Sequence, residues 1–426
     1  MMPQTVLPFK LEMTRDTMTA HAGLALLGEF CQAHRLGGLI DEELPGPGSG
    51  AGYRPSQFVT PLVLMLHGGG RTLEDLRELR ADAGLRELLG LDQMPSADAT
   101  GDWLRRMGRG RGLAGLAAVN RRLLARALAG DEHDEYTLDL DATQIVAEKQ
   151  DAARTYKGER GYMPIVGHLA ENGLVVGDEF RAGHDSPGAR NLEFIHYCAA
   201  QLPAGKRVAQ VRADSAAYQA KIFNWCAENQ VTFAIGADLD YAVKVAIRRI
   251  PTTDWRPYQE GQIAETGHTM NETKQDFRLI VIRRPVQREL FGQEAESERY
   301  TVIASNRGET AEETVAWYNQ RGECSENRLK ELKVGFQLEH LPCGQQEANA
   351  AYFRLGALSY NLFVMFKQQV LPEKWRRCQV QTVRWRLYQV AGKVVEHARG
   401  LTLKVSRRAY LFFAKVRWRC AELARA

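Results

Sequence analysis

Apolar positions recur at helical spacing through the first third of the chain. The segments "HAGLALLGEFCQAHRLGGLIDEEL", "FVTPLVLMLHGGG" and "LEDLRELRADAGLRELLGL" predict helices within residues 18–130. The stretch "PGPGSGAGYRP" at 45–55 interrupts them as a Gly- and Pro-rich loop. Near residue 136 the period drops to two. "YTLDLDAT" alternates, with Leu138 and Leu140 on one face and Asp139 and Asp141 on the other. "PIVGHLAENGLVVGDEF" reads as two strands around a turn, "RVAQVRAD" and "VTFAIGAD" as further strands. "NLEFIHYCAAQL" and "YQAKIFNWCAENQ" read as the helices between them. Three strands, helix, strand, helix, strand is the order of a mixed α/β sheet.

Residues 239–298 break this order. They are polar, carry Pro251, Pro257 and Pro285, and hold one clear strand, "FRLIVIR", so a β-rich insertion is expected. "RYTVIASN" returns to the sheet, and helices follow through "QEANAAYFRLGALSYNLFVMFKQQVL". Five regions result: helical at 1–130, a core at 131–238, the insertion at 239–298, a second core part at 299–370, and a basic C-terminal region at 371–426.

Composition narrows the class. Hydrophobic residues make up 44% and charged residues 25% of 426, an ordinary globular balance. The most apolar run, "LGALSYNLFVMF" at 355–366, is too short to span a bilayer and reads as a core helix. The start of the chain lacks the pattern of a secretory signal. Seven scattered cysteines with no C-x-x-C pair predict neither a zinc site nor a disulfide framework, so a reducing cytoplasm is expected.

Charge changes the picture more. The net +4 divides into +12 over residues 367–426 and −8 over the rest. A second basic island at 103–130 holds seven arginines, Arg105 and Arg106 among them, and no acid. Either island alone reads as a solvated helix face. Two in an otherwise acidic chain point to a polyanion, most simply nucleic acid. The C-terminal region also carries Trp375, Trp385 and Trp418 among its arginines, a mixture that suits DNA or subunit contacts.

Three acids stand out by position. Asp141 and Asp214 end strands, at the edge where open α/β sheets place their sites. Singly, each also reads as a strand-end or helix-capping acid. Glu326 lies on a helix, "YNQRGECSENRLKELK", where Glu326, Lys330 and Lys333 are spaced i, i+4, i+7. A surface salt bridge explains Glu326 and Lys330, but not Tyr318 and Arg321 upstream.

The succession Tyr318, Arg321, Glu326, Lys333 resembles the Tyr–Arg–Glu–Lys signature of bacterial insertion-sequence transposases of the DDE class. Two residues separate Tyr318 from Arg321 and six separate Glu326 from Lys333, as in that family. Four residues separate Arg321 from Glu326, where the family usually has three. "LDLDAT" and "RADSAAY" look like its first-Asp and second-Asp strands, and the match runs from about 136 to 366. Asp139 and Glu323 remain the alternatives to Asp141 and Glu326.

The resemblance implies a ribonuclease-H-like α/β core and a cut-and-paste DNA transposase acting by in-line phosphoryl transfer. Asp141, Asp214 and Glu326 would hold two Mg²⁺ or Mn²⁺ ions about 4 Å apart. Arg321, Lys330 and Lys333 would contact phosphates. Tyr318 would stack on the terminal nucleotides, and Trp255 in "TTDWRPY" is the candidate to hold a flipped base. The partners implied are double-stranded terminal inverted repeats and target DNA, with a homodimer on paired ends, no membrane, and a bacterial, nucleoid-associated location. A metal-dependent nuclease without strand transfer and a domesticated, non-catalytic DNA-binding protein are the rival readings. His168 and His184 read as structural or loop residues.

Overall fold

The computed structural model describes residues 9–48, 50–285, 298–398 and 400–425, without the side chains of 323–325. Its centre is a nine-stranded mixed sheet. The strands are β1 (Glu135–Ala142), β2 (Ile165–Leu169), β3 (Val175–Glu179), β4 (Arg207–Ala213) and β5 (Thr232–Gly236). They continue as β6 (Arg256–Tyr258), β7 (Gly261–His268), β8 (Phe277–Pro285) and β9 (Glu298–Ser305). Their spatial order is β6-β7-β8-β9-β5-β4-β1-β2-β3.

The half of the sheet from β3 to β5 is ribonuclease-H-like. β2 runs antiparallel to β1 and β3, while β4 and β5 lie parallel to β1 and to each other. The other half is an antiparallel meander that joins β5 through β9. Of residues 239–298, expected as a β-rich insertion, the described strands from Arg256 to Pro285 extend the same sheet, after a short helix at Tyr241–Arg248.

The helices that matter are α1 (Ala22–Ala33), α2 (Pro55–Gly68), α3 (Ala97–Arg109), α4 (Gly112–Leu128), α5 (Asn191–Ala200) and α6 (Ala220–Glu228). After β9 come α7 (Ala311–Lys330), α8 (Gln346–Gln369) and α9 (Arg407–Leu423). α8 is the spine. It is buried almost all round and packs on α2, α3, α4 and β3. Asn361 on it accepts from Val175 N at 2.8 Å and donates to Val175 O at 2.7 Å. Gly108 lets α3 close on α8, since a Cβ there would meet the Glu347 carbonyl. Among the described residues no helix is long and apolar enough to cross a membrane.

The C-terminal region folds back rather than trailing away. Strands at Gly392–His397 and Gly400–Val405 form a hairpin that pairs with Thr17–Thr19, and α9 packs on α1. Arg384 is 3% exposed and donates to the carbonyls of Leu66, His67 and Gly335. Arg384 thus ties the C-terminal region to the backbone at residues 66, 67 and 335.

Two histidines are fully buried. Burial pulls both His67 and His168 down to about 3, with Arg384 and Arg328 acting in the same direction. Both stay neutral in the fold, whereas the unfolded chain protonates them near pH 6.5. The unfolded state then binds more protons below pH 6.5, so stability falls as pH drops toward 3. His168→Leu should flatten that slope between pH 6 and 4 by about 1.4 kcal/mol per pH unit, read from denaturant midpoints. An unchanged slope would show that His168 is protonated in the fold.

Candidate active site

Parallel strands place two acids side by side. Asp139 on β1 pairs in register with Arg212 on β4. Two residues further stand Asp141, the last but one residue of β1, and Asp214, the residue after β4, so both acids lie at the same edge of the sheet. Asp214 is also the cap of a short turn, its Oδ1 accepting from Ala216 N at 3.1 Å. A carboxylate fixed by a backbone N–H has its second oxygen directed elsewhere.

Asp139 has a different role. It is fully buried and forked onto Arg212, with Nε–Oδ1 at 2.7 Å and Nη2–Oδ2 at 2.9 Å. Arg212 also donates to Trp317 O at 2.7 Å and lies 4.9 Å from the Trp317 ring centre. The alternation of β1 suggested two acids on an open face. α7 covers that face, and the adjacent arginine neutralises the inner acid.

α7 brings the next residues. Thr310 caps it, accepting from Glu313 N at 3.2 Å while Glu313 accepts from Thr310 N at 3.0 Å. Ala311, Thr314 and Val315 are buried, which presses the following turn onto β1, β4 and β5. Tyr318 then reaches between the strand ends. Its hydroxyl would lie 3.1 Å from a Cβ at Gly236, so glycine at the end of β5 is what admits the ring. Burial pushes the Tyr318 phenol above its ordinary range; Asp214 and Asp141 add to this and Arg321 opposes it. One turn on, Arg321 lies 3.6 Å from Asp141 Oδ1 and donates to Leu140 O at 3.3 Å. Asp141, Asp214, Tyr318 and Arg321 therefore share one site.

Glu326 is not brought to it. Seven residues return a helix to the same face, so residue 325 follows Tyr318 and Glu326 is turned about 100° away. Glu326, Asn327 and Lys330 are exposed, while Leu329 and Leu332 face the core. The four residues after Arg321 cause this phase error. A π-turn at Glu331–Gly335 then takes up one extra residue. Within that turn Lys333 donates to Gln144 O at 3.0 Å, three residues past Asp141. Glu323, the alternative acid, has its side chain outside the described residues.

The remaining candidates lie elsewhere. Trp255 is 8% exposed and sits under the Arg283 guanidinium at 4.1 Å, so its face is covered. Arg105 and Arg106 are on the outer side of α3, Arg105 paired with Asp102. Elsewhere in that basic island Arg122 is held by Glu42 and Glu43, and Arg126 by the His34 carbonyl. Arg212 and Gly236 were missed by sequence reasoning. The matched alternation of Asp139-x-Asp141 and Arg212-x-Asp214 was the available sign of a cross-strand pair.

Hard carboxylate oxygens at adjacent strand ends suit a divalent cation. Among the described residues, however, no three Asp, Glu, His or Cys side chains are close enough to hold one. Among the described residues, Asp141 and Asp214 are the two carboxylates that suit one.

The half-sheet from β3 to β5 is ribonuclease-H-like, with Asp141 and Asp214 at one edge. The chain belongs to the family described as "Transposase DDE domain group 1", which matches residues 6–416. It is a DNA transposase of the DDE type, in a family that generally uses divalent metal ions. No curated protein matches it. Among solved structures it is similar to the cryo-EM structure of the piggyBac transposase synaptic complex with hairpin DNA. The TM-score is 0.49 at 10% identity, over 88% of this chain and 82% of that one.

Proposed function

We propose that this chain cuts DNA at the ends of a mobile element and joins the freed ends to target DNA. The observation that carries this reading is the placement of Asp141 and Asp214 side by side, with Tyr318 and Arg321 delivered between them by one helix. Asp141 and Asp214 would hold the family's divalent ions, taken here as two Mg²⁺ or Mn²⁺. When bound, such ions stabilise charge on a scissile phosphate and raise the acidity of water. Arg321 steadies Asp141 and offers a guanidinium to a phosphate beside it. Lys330 and Lys333 continue that charge along the helix. Tyr318 closes the floor of the site.

Glu326 is assigned as the third carboxylate on its spacing to Lys333. Its exposure then requires the turn at 322–326 to rewind by one residue when DNA and metal bind. The finer reading is a bacterial, nucleoid-associated insertion-sequence enzyme of the Tyr–Arg–Glu–Lys group. It would act as a homodimer on paired terminal repeats and on duplex target.

The test is a labelled donor plasmid bearing the element's flanking ends, with Mg²⁺ or Mn²⁺. Metal-dependent cutting and joining that require both ends support the reading. Cutting without joining reassigns the chain as a nuclease. Glu326→Ala should lose cleavage while still binding DNA; normal cleavage by that variant removes Glu326 from the site.

A further inference from the structure

Residues 180–190 connect β3 to α5, and the buried side chains around them lead to Asp214. Arg181 is 1% exposed. It pairs with Glu179 Oε2 through Nε at 3.0 Å and Nη2 at 2.9 Å. Its Nη1 donates to Asn191 Oδ1 at 3.0 Å and to Pro187 O at 3.3 Å. Asn191, the first residue of α5, is 2% exposed, and its amide nitrogen donates to Ala216 O at 3.1 Å. Ala216 N in turn donates to Asp214 Oδ1 at 3.1 Å. An unbroken path of hydrogen bonds thus runs from a buried guanidinium to a carboxylate of the site.

This path does what the sheet itself cannot. β3 and β4 are not neighbours, because β1 and β2 lie between them. No strand ladder therefore ties the loop after β3 to the turn after β4; side chains do. Gln219, at the start of α6, adds a second clamp. Its amide donates to Ala216 O at 2.8 Å and to Gly188 O at 2.8 Å. Glycine at 188 permits the approach, since a Cβ there would lie 2.9 Å from Ala216 O. Held at its carbonyl by two amides, Ala216 keeps its N–H on Asp214.

Cohesion alone is a poor reason for this arrangement. Replacing a buried ion pair by apolar residues of similar volume is often neutral or stabilising. What Arg181 and Asn191 supply is direction, because a guanidinium and an amide fix where their partners lie. Carboxylates that ligate metals depend on such support, and losing the outer partner costs roughly 10–100-fold in metal affinity. Resting on the transposase reading, we propose that Asn191, oriented by Arg181, is a positioning residue for Asp214 and sets the affinity of the site for its divalent cation.

The experiment compares the full chain with Asn191→Leu, Gln219→Leu and Arg190→Gln, each with a duplex carrying the element end. Leucine is close to asparagine in shape and cannot donate. Arg190 is exposed and holds the same loop through Glu179 and Asp185, so it controls for loop stability. Free Mn²⁺ measured by electron paramagnetic resonance gives metal affinity without any cleavage. Asn191→Leu should bind Mn²⁺ about ten-fold more weakly. The Mn²⁺ concentration for half-maximal cleavage should rise by the same factor, while the rate recovers at saturating Mn²⁺ and DNA affinity is unchanged. Gln219→Leu should shift in the same direction, and Arg190→Gln should bind Mn²⁺ as wild type does. If Asn191→Leu does not fold, Gln219→Leu carries the test alone. Wild-type Mn²⁺ affinity in Asn191→Leu and Gln219→Leu overturns the proposal. So does an equal loss in Arg190→Gln, which would make general loop stability the cause. If wild type binds no Mn²⁺ and cuts no DNA, the transposase reading falls and the proposal with it. If wild type binds and cuts and both leucine variants match it, only the positioning role falls.

Discussion

Asp141→Asn should lower strand cleavage by about a thousand-fold or more, with the fold and DNA binding intact. Asparagine is nearly the same size but carries no charge, so it binds a hard divalent cation poorly. Charge stabilisation by a bound cation is worth several kcal/mol in phosphoryl transfer, and about 4 kcal/mol corresponds to a thousand-fold in rate. Thermal unfolding is read beside cleavage, because Asp141 also lies 3.6 Å from Arg321. Asp214→Asn should behave likewise, because asparagine also caps the turn at Ala216. Cleavage rates at saturating DNA, with anisotropy and thermal unfolding as controls, decide the matter. A variant that cuts within ten-fold of wild type would remove its aspartate from the metal site.

The two strand-end acids were legible because strand alternation is a local property. Asp141 and Asp214 each close a run of alternating apolar residues, and parallel pairing of those runs juxtaposes them. Tyr318 and Arg321 were legible through their spacing on one helix. Glu326 was read by counting residues to Lys333, and counting ignores helical phase. One additional residue after Arg321 turns the carboxylate outward, and a π-turn that no local pattern announces carries Lys333 to Gln144 O. The C-terminal region was read from its charge as suited to DNA or subunit contacts, and that pattern does not mark Arg384, which is buried on three carbonyls contributed by segments some fifty and three hundred residues away. Such pairings depend on tertiary contacts that composition does not record.

Asp139→Ala should destabilise the fold by about 3–5 kcal/mol, the range for removing one partner of a buried ion pair. The Arg212 guanidinium would keep its bond to Trp317 O and its contact with the indole, but its charge would be buried without a counter-ion. For a domain whose net stability is of order 5–15 kcal/mol, that loss is a large share. The paired substitution Asp139→Leu with Arg212→Met should recover much of it, since the desolvation penalty goes with the charges. Urea midpoints of the single and double variants separate these terms. Cleavage should fall in the double variant, because Arg212→Met removes the bond to the carbonyl immediately before Tyr318. The double variant would then be stable yet still impaired, which distinguishes holding α7 in place from holding the sheet together. A single variant as stable as wild type would mean that the pair contributes nothing to the fold. Asp139 would then compete with Asp141 as the acid at the strand end.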